Sequence, residues 1–237
     1  MGITGKTSSI GYVNRIRDNL IDIDRKRLSR LFEDLKSADC VVCSGSGRSL
    51  HSLNAAMSQM AMSRIDWRNK VVLTPDDPGF PGKNMHDAAA QLERRYRKTL
   101  LLINSGSGRS EDPLTMAQDL TRYIKKTETN KLAIGLITSN LKSPLAEMVS
   151  EHGSVVELKG RGESEPSFEY SKIGIMGDMF ELGSLLLLSL MTEAIFRNIE
   201  ADDVSKLCEE EFIKLGSMID SNLQSETYTK IVNILER

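Results

Sequence analysis

Leu100-Leu101-Leu102-Ile103-Asn104-Ser105-Gly106-Ser107-Gly108-Arg109-Ser110 is the stretch whose reading decides the fold. Its apolar half is too short for a helix and stops at a Ser-Gly turn signal, the pattern of a buried strand. A helical pattern follows from Pro113 to Lys126. The same hexapeptide occurs earlier as Ser44-Gly45-Ser46-Gly47-Arg48-Ser49. There too it follows an apolar run, Val41-Val42, and precedes a helical pattern, Leu50 to Met62.

Working outward, three more short apolar runs end at turn signals: Val71 to Leu73, Leu132 to Ile137 and Val155-Val156. Helical patterns separate them at Met85 to Lys98 and Pro144 to Glu151, and a polar one, Asp18 to Lys36, precedes the first. Strands alternating with helices imply βαβ units and a parallel sheet covered on both faces. The expected fold is therefore α/β, a three-layer αβα sandwich on a five-stranded parallel sheet. Beyond it, Met179 to Phe196 reads as a helix apolar on nearly every side, which must be buried in the core or at a subunit contact. Two charged helices are expected after it, Asp203 to Met218 and Ser225 to Glu236. The domain reading is one unit over 1–197 with a helical tail, 198–237, that is not an independent domain.

Composition narrows the function. The 237 residues carry 31 Lys plus Arg against 33 Asp plus Glu, a formal charge of −2. That balance argues against a nucleic-acid partner, which normally meets a basic excess. Apolar content of 40% and charged content of 27% are those of an ordinary globular chain. Three cysteines exclude a disulfide scaffold and fit a reducing compartment. No signal-peptide core is seen, Lys6 stands where myristoylation wants Ser or Thr, and charges interrupt the most apolar stretch. A cytoplasmic protein without a membrane partner is expected.

The two hexapeptides suit anion binding. Glycine lets backbone amides approach an anion, a helix N-terminus adds unpaired donors and a positive dipole end, and serine hydroxyls donate too. A Ser-Gly turn also serves simply as a connector with Ser as N-cap; finding two at equivalent strand ends favours the functional reading.

These loops carry a family resemblance. Ser105 to Ser110 resembles the Ser-x-Ser-Gly-x-Ser/Thr signature of the sugar isomerase (SIS) domain, and Gly45 to Ser49 resembles that family's first loop. Leu136 to Asn140 with Ser143 to Ala146 is similar to its fourth strand and following helix. Glu157 to Arg161 and Met176 to Glu181 resemble the 6-phospho-3-hexuloisomerase branch. The resemblance implies a flavodoxin-like strand order and no metal or organic cofactor. It implies a phosphorylated sugar substrate and a homodimer or homotetramer. By position, Ser105, Ser107 and Ser110 would hold the phosphate, and Ser46, Arg48 and Ser49 would line the sugar side. Glu181 would be the general base.

Moving a carbonyl along a sugar needs a group that takes a proton from one carbon and returns it to the next. Glu181 suits this, lying in the first turn of an apolar helix; the helix dipole alone would also favour an acid there. His51, just inside the helix after the first loop, and His86, starting the helix after the second strand, are candidates to protonate a ring or carbonyl oxygen. His152 reads as a surface residue. The expected function is a phosphosugar isomerase working through an enediol, converting 6-phospho-3-hexulose to fructose 6-phosphate. The alternatives are an aldose–ketose isomerase on another phosphosugar and a non-catalytic phosphosugar-binding module.

Other motifs carry less. Cys40 and Cys43, three apart in a strand, face opposite sides and make neither a zinc nor a redox pair. Gly5-Lys6-Thr7 lacks the glycine and strand of a P-loop. Asp76, Asp77, His86 and Asp87 are oxygen-rich, but Asp-Asp-Pro-Gly reads as a turn. Two features depart from the hexuloisomerase branch: an inserted stretch, Thr74 to Lys83, and the tail. The first would reshape the pocket and the second the assembly.

Overall fold

The computed structural model describes residues 15–62, 70–160 and 179–223. Five strands form one parallel sheet: β1 (Cys40–Gly45), β2 (Val71–Leu73), β3 (Thr99–Asn104), β4 (Leu132–Thr138) and β5 (Ser154–Glu157), in the order β2-β1-β3-β4-β5. This is the flavodoxin-like order, with its reversal between β1 and β3. In open α/β sheets ligands bind at the carboxyl ends of the strands beside that reversal.

Helices cover both faces. On one lie α1 (Arg25–Ser37), α2 (Arg48–Met62) and α6 (Met179–Phe196); on the other lie α3 (Met85–Arg95), α4 (Glu111–Thr127) and α5 (Pro144–His152). The alternation of the strands builds two cores. Val41, Cys43, Leu100 and Leu102 point into the first, and Cys40, Val42, Leu101 and Ile103 into the second. Cys40 and Cys43 thus face opposite sides, and burial first of all pushes both thiols up to about 12.

Several boundaries differ from the sequence reading. The polar helix expected over Asp18 to Lys36 is two pieces, 15–21 and α1, because Asp24 breaks the run and caps α1 by accepting from the Arg27 amide at 2.9 Å. The helix expected to reach Lys98 stops at Arg95, where extended Tyr96 turns the chain into β3 and lets Arg97 grip Asp39. The tail helix α7 runs over Ala201–Leu223, longer at both ends than expected. The second tail helix and Met176 to Asp178 lie outside the described residues.

The 18 residues of α6 are long and apolar enough by composition to cross a bilayer, with mean hydropathy 1.6, yet 61% of the helix is buried inside the protein. It is the core helix beneath α2. Helix α7 lies against α1 and α6, sinking Val204, Cys208 and Phe212 into the same core. Ser29 donates to the Ala201 carbonyl at 3.0 Å, and Arg25 pairs with Glu209 at 2.5 Å. Part of the apolar surface that the sequence left open on α6 is therefore covered from within the chain.

Candidate functional site

The two identical hexapeptides fold alike at one position and differently around it. Their fourth residue is left-handed in both, with φ +54° at Gly47 and +62° at Gly108, where a side chain would be strained. In the first copy Ser44 and Gly45 still belong to β1, and α2 begins at Arg48. The whole second copy lies beyond β3, and α4 begins only at Glu111. The ladder pairs Gly45 with Asn104, so the copies are offset along the sheet by two residues. A Cβ on Gly45 would stand 2.9 Å from the Asn104 carbonyl oxygen, which is why glycine sits there.

That offset brings a buried polar cluster together on the α2–α6 side. Glu181, 6% exposed, accepts a hydrogen bond of 2.7 Å at Oε1 from the Ser49 hydroxyl. Asn104, fully buried, ends an otherwise apolar strand and points its Nδ2 at the Ser49 carbonyl oxygen, Ser52 Oγ and Ser184 Oγ, each at 2.9 Å. Its two hydrogens are shared among three oxygens. Ser184 Oγ donates back to the Glu181 carbonyl at 3.0 Å, and Ser52 Oγ donates to the Ser49 carbonyl at 3.0 Å. A carboxylate taken this far out of water must be hydrogen-bonded to be tolerated.

The loop from Ser105 to Ser110 is moored on the other side of β3. The Gly106 carbonyl accepts from Thr138 Oγ1 at 3.2 Å, from the Ser139 amide at 3.1 Å and from Ser139 Oγ at 2.7 Å. Gly108 lies against Ser143, the residue that caps α5 by accepting from the Ala146 amide at 3.2 Å. Ser105 is buried, and among the described residues its hydroxyl makes no hydrogen bond. Ser107 and Ser110 are half-buried, and Ser110 is the N-cap of α4 without a side-chain cap bond. Glu111 and Asp112 fill the first turn of α4. They suit the helix dipole but oppose a second anion at the same helix end.

The sequence-predicted residues do not all converge. Ser49 and Glu181 touch, and Asn104, the residue next to Ser105, is bonded to the Ser49 carbonyl and, through Ser184, to the main chain of Glu181. Ser46 is half-buried and Arg48 exposed at the mouth of α2. His51 is exposed in the first turns of α2, and His86 is exposed in the first turn of α3. A cavity of about 420 Å³ opens at the carboxyl end of β1 on the α3–α4 side. The inserted stretch forms one wall through Asp76 and Lys83, α4 forms another through Glu111, Asp112 and Asp119, and Ser44 lies in the lining. Asp77 closes its own turn by accepting from the Thr74 amide, and Asn84 caps α3 by accepting from the Asp87 amide at 2.9 Å. Among the described residues no three His, Cys, Asp or Glu side chains are grouped to hold a metal.

Asn104, Ser52 and Ser184 were missed by the sequence reading. A signal existed for each: a polar residue closing an apolar strand, a serine three residues after Ser49, and a serine three residues after Glu181, spacings that share a helix face.

At the level of sequence, no family model and no curated protein matches the chain. Solved structures match its fold. The Vibrio vulnificus NanR protein complexed with ManNAc-6P matches at a TM-score of 0.56 and 20% identity, over 91% of this chain and 70% of that one. A hypothetical protein matches at 0.54 and 20%, over 85% and 93%. A candidate phosphosugar isomerase from Silicibacter pomeroyi DSS-3 matches at 0.52 and 15%, over 85% and 55%. At these identities the likeness establishes architecture alone: the chain shares with these structures its fold, here an αβα sandwich on a parallel sheet in the order β2-β1-β3-β4-β5.

Proposed function

We propose that this protein is a phosphosugar isomerase, and that its substrate is a hexulose 6-phosphate whose carbonyl it moves between C3 and C2. The observation that carries the reading is the buried Glu181 carboxylate, held by Ser49, whose carbonyl is bonded by Asn104, the residue immediately before the Ser105–Ser110 loop. Phosphate bound in that loop fixes one end of the substrate, and Glu181 acts at the other. As general base it takes the proton from C2 of a 3-hexulose 6-phosphate. The electrons of that C–H bond form the 2,3-enediol as the carbonyl oxygen on C3 takes up a proton; the proton held by Glu181 then returns to C3 while the hydroxyl on C2 gives up its own, leaving the carbonyl at C2. The redox change is internal, so no external oxidant or reductant enters.

Ser105, Ser107 and Ser110 hold the phosphate in this reading, and Ser46 and Arg48 line the sugar side. His51 or His86 supplies the proton that the C3 carbonyl oxygen takes up as the enediol forms. The likeness to a protein solved with ManNAc-6P and to a candidate phosphosugar isomerase supports a phosphosugar ligand. The sequence resemblance of Glu157 to Arg161 and of Met176 to Glu181 to the hexuloisomerase branch supports the hexulose.

Glu181→Gln tests the reading. Binding needs no base, so the variant is expected to keep phosphosugar affinity while turnover falls by about 10²–10⁴, the range for a general acid–base group. Full turnover in that variant would exclude the mechanism. Binding by the wild type without turnover on any hexulose, pentulose or aldose phosphate would establish the second reading, a phosphosugar-binding module, which the NanR likeness favours.

We also propose a homodimer or homotetramer. Leu182, Leu185, Leu186 and Leu190 form a half-buried apolar stripe along α6. Light scattering that gives the 26.4 kDa monomer mass at micromolar concentration would exclude it.

A further inference from the structure

We propose that Ser49 is a positioning residue for Glu181 rather than a sugar contact, and that Asn104 locks the pair in place. The inference rests on the reading of Glu181 as the base. Ser49 matches a position that lines the sugar side by resemblance, but only 2% of it is exposed and its hydroxyl is spent on Glu181 Oε1 at 2.7 Å. A hydroxyl has one hydrogen to donate. While that bond stands, Ser49 donates nothing to a substrate.

The cluster fixes both partners from behind. Ser49 stands in the first turn of α2, with its own carbonyl held by Asn104 Nδ2 at 2.9 Å and by Ser52 Oγ at 3.0 Å. The main chain of Glu181 is held by Ser184 Oγ, which Asn104 also reaches. Asn104 therefore touches the supports of both the donor and the acceptor, and it is the last residue of β3 before the phosphate loop. One amide sets the distance between loop and base. A base misplaced by about 1 Å loses about 10² in rate without losing binding energy elsewhere.

The experiment compares wild type, S49A, S49T, N104L and E181Q by phosphosugar kinetics and by calorimetry with inorganic phosphate. Crystal structures of wild type, S49A and N104L accompany them. Expected for S49A is a kcat lowered by about 10–100-fold at nearly constant KM, with phosphate affinity unchanged within about threefold. S49T, which keeps the hydroxyl, recovers most of the rate. In S49A and N104L the Glu181 carboxylate is displaced from its wild-type position. Wild-type kcat in S49A, failure of S49T to restore any rate, or an unmoved Glu181 carboxylate in both variant crystals overturns the proposal. Full turnover in E181Q is a separate failure, that of the base reading. The crystal structures then decide by themselves whether Ser49 and Asn104 position Glu181.

Discussion

Gly108 and Ser143 are packed so closely that a Cβ on the glycine would stand 2.0 Å from the serine Oγ and 2.5 Å from its Cβ. The Ser105–Ser110 loop is thereby seated on the cap of the next helix. Gly47, its counterpart in the other hexapeptide, is equally left-handed but has nothing within 4 Å of such a Cβ.

This pair gives a graded prediction. Gly47→Ala meets only the left-handed strain, about 1–2 kcal/mol. Gly108→Ala meets the same strain and must also displace Ser143 from its capping bond, together about 2–4 kcal/mol. Urea unfolding of both variants measures the difference, and phosphate affinity is expected to fall only for Gly108→Ala. Equal destabilisation of the two would show that the Ser143 contact does not anchor the loop.

Glu111 opens α4 beside the loop proposed to hold phosphate. Removing its charge with Glu111→Gln should tighten inorganic phosphate by about two- to fivefold, since a charge at a helix end is worth about 0.3–1 kcal/mol. The gain should shrink at high salt. Calorimetry at low and high ionic strength reads both; weaker binding would place the phosphate elsewhere.

Asp39 joins the starts of β1 and β3 by accepting from Arg97 Nη2 at 2.7 Å and from Nε at 3.1 Å. The Arg97 hydrogen bond holds the Asp39 carboxyl below the usual carboxylate value of about 3.8. The folded state therefore releases this proton more readily than the unfolded chain. The stabilisation is complete above pH 4 and is lost as pH falls through the lower folded value. Because the pair is partly exposed, Asp39→Ala should lower the melting temperature at neutral pH by no more than about 3 °C. Melting curves down to pH 2 should bring wild type and variant together.

Cys40, Cys43 and Cys208 are all buried, and burial first of all pushes each thiol up to about 12. Thiolate is the reactive species, so none should react with a thiol reagent at pH 8 until the protein unfolds. The unfolded thiols ionise near 9, so their contribution to stability falls as pH rises from 9 toward 12. Mass spectrometry after labelling counts the modified cysteines; fast native labelling of Cys43 would contradict its burial.

The sheet was legible in the chain because each strand is a short apolar run that stops at a turn signal, as in Leu100 to Asn104. A strand buried on both faces admits little else. Local chemistry also placed Glu181 in the first turn of α6. What it would touch there was decided by the register of β1 on β3, which sets Gly45 beside Asn104 and swings Ser49 onto a carboxylate 132 residues away. The same register gave one hexapeptide to a strand end and its twin to a loop. Sequence specifies which side chains a segment must bury. Hydrogen bonds between distant segments depend on how whole elements pack, and that only the tertiary structure decided.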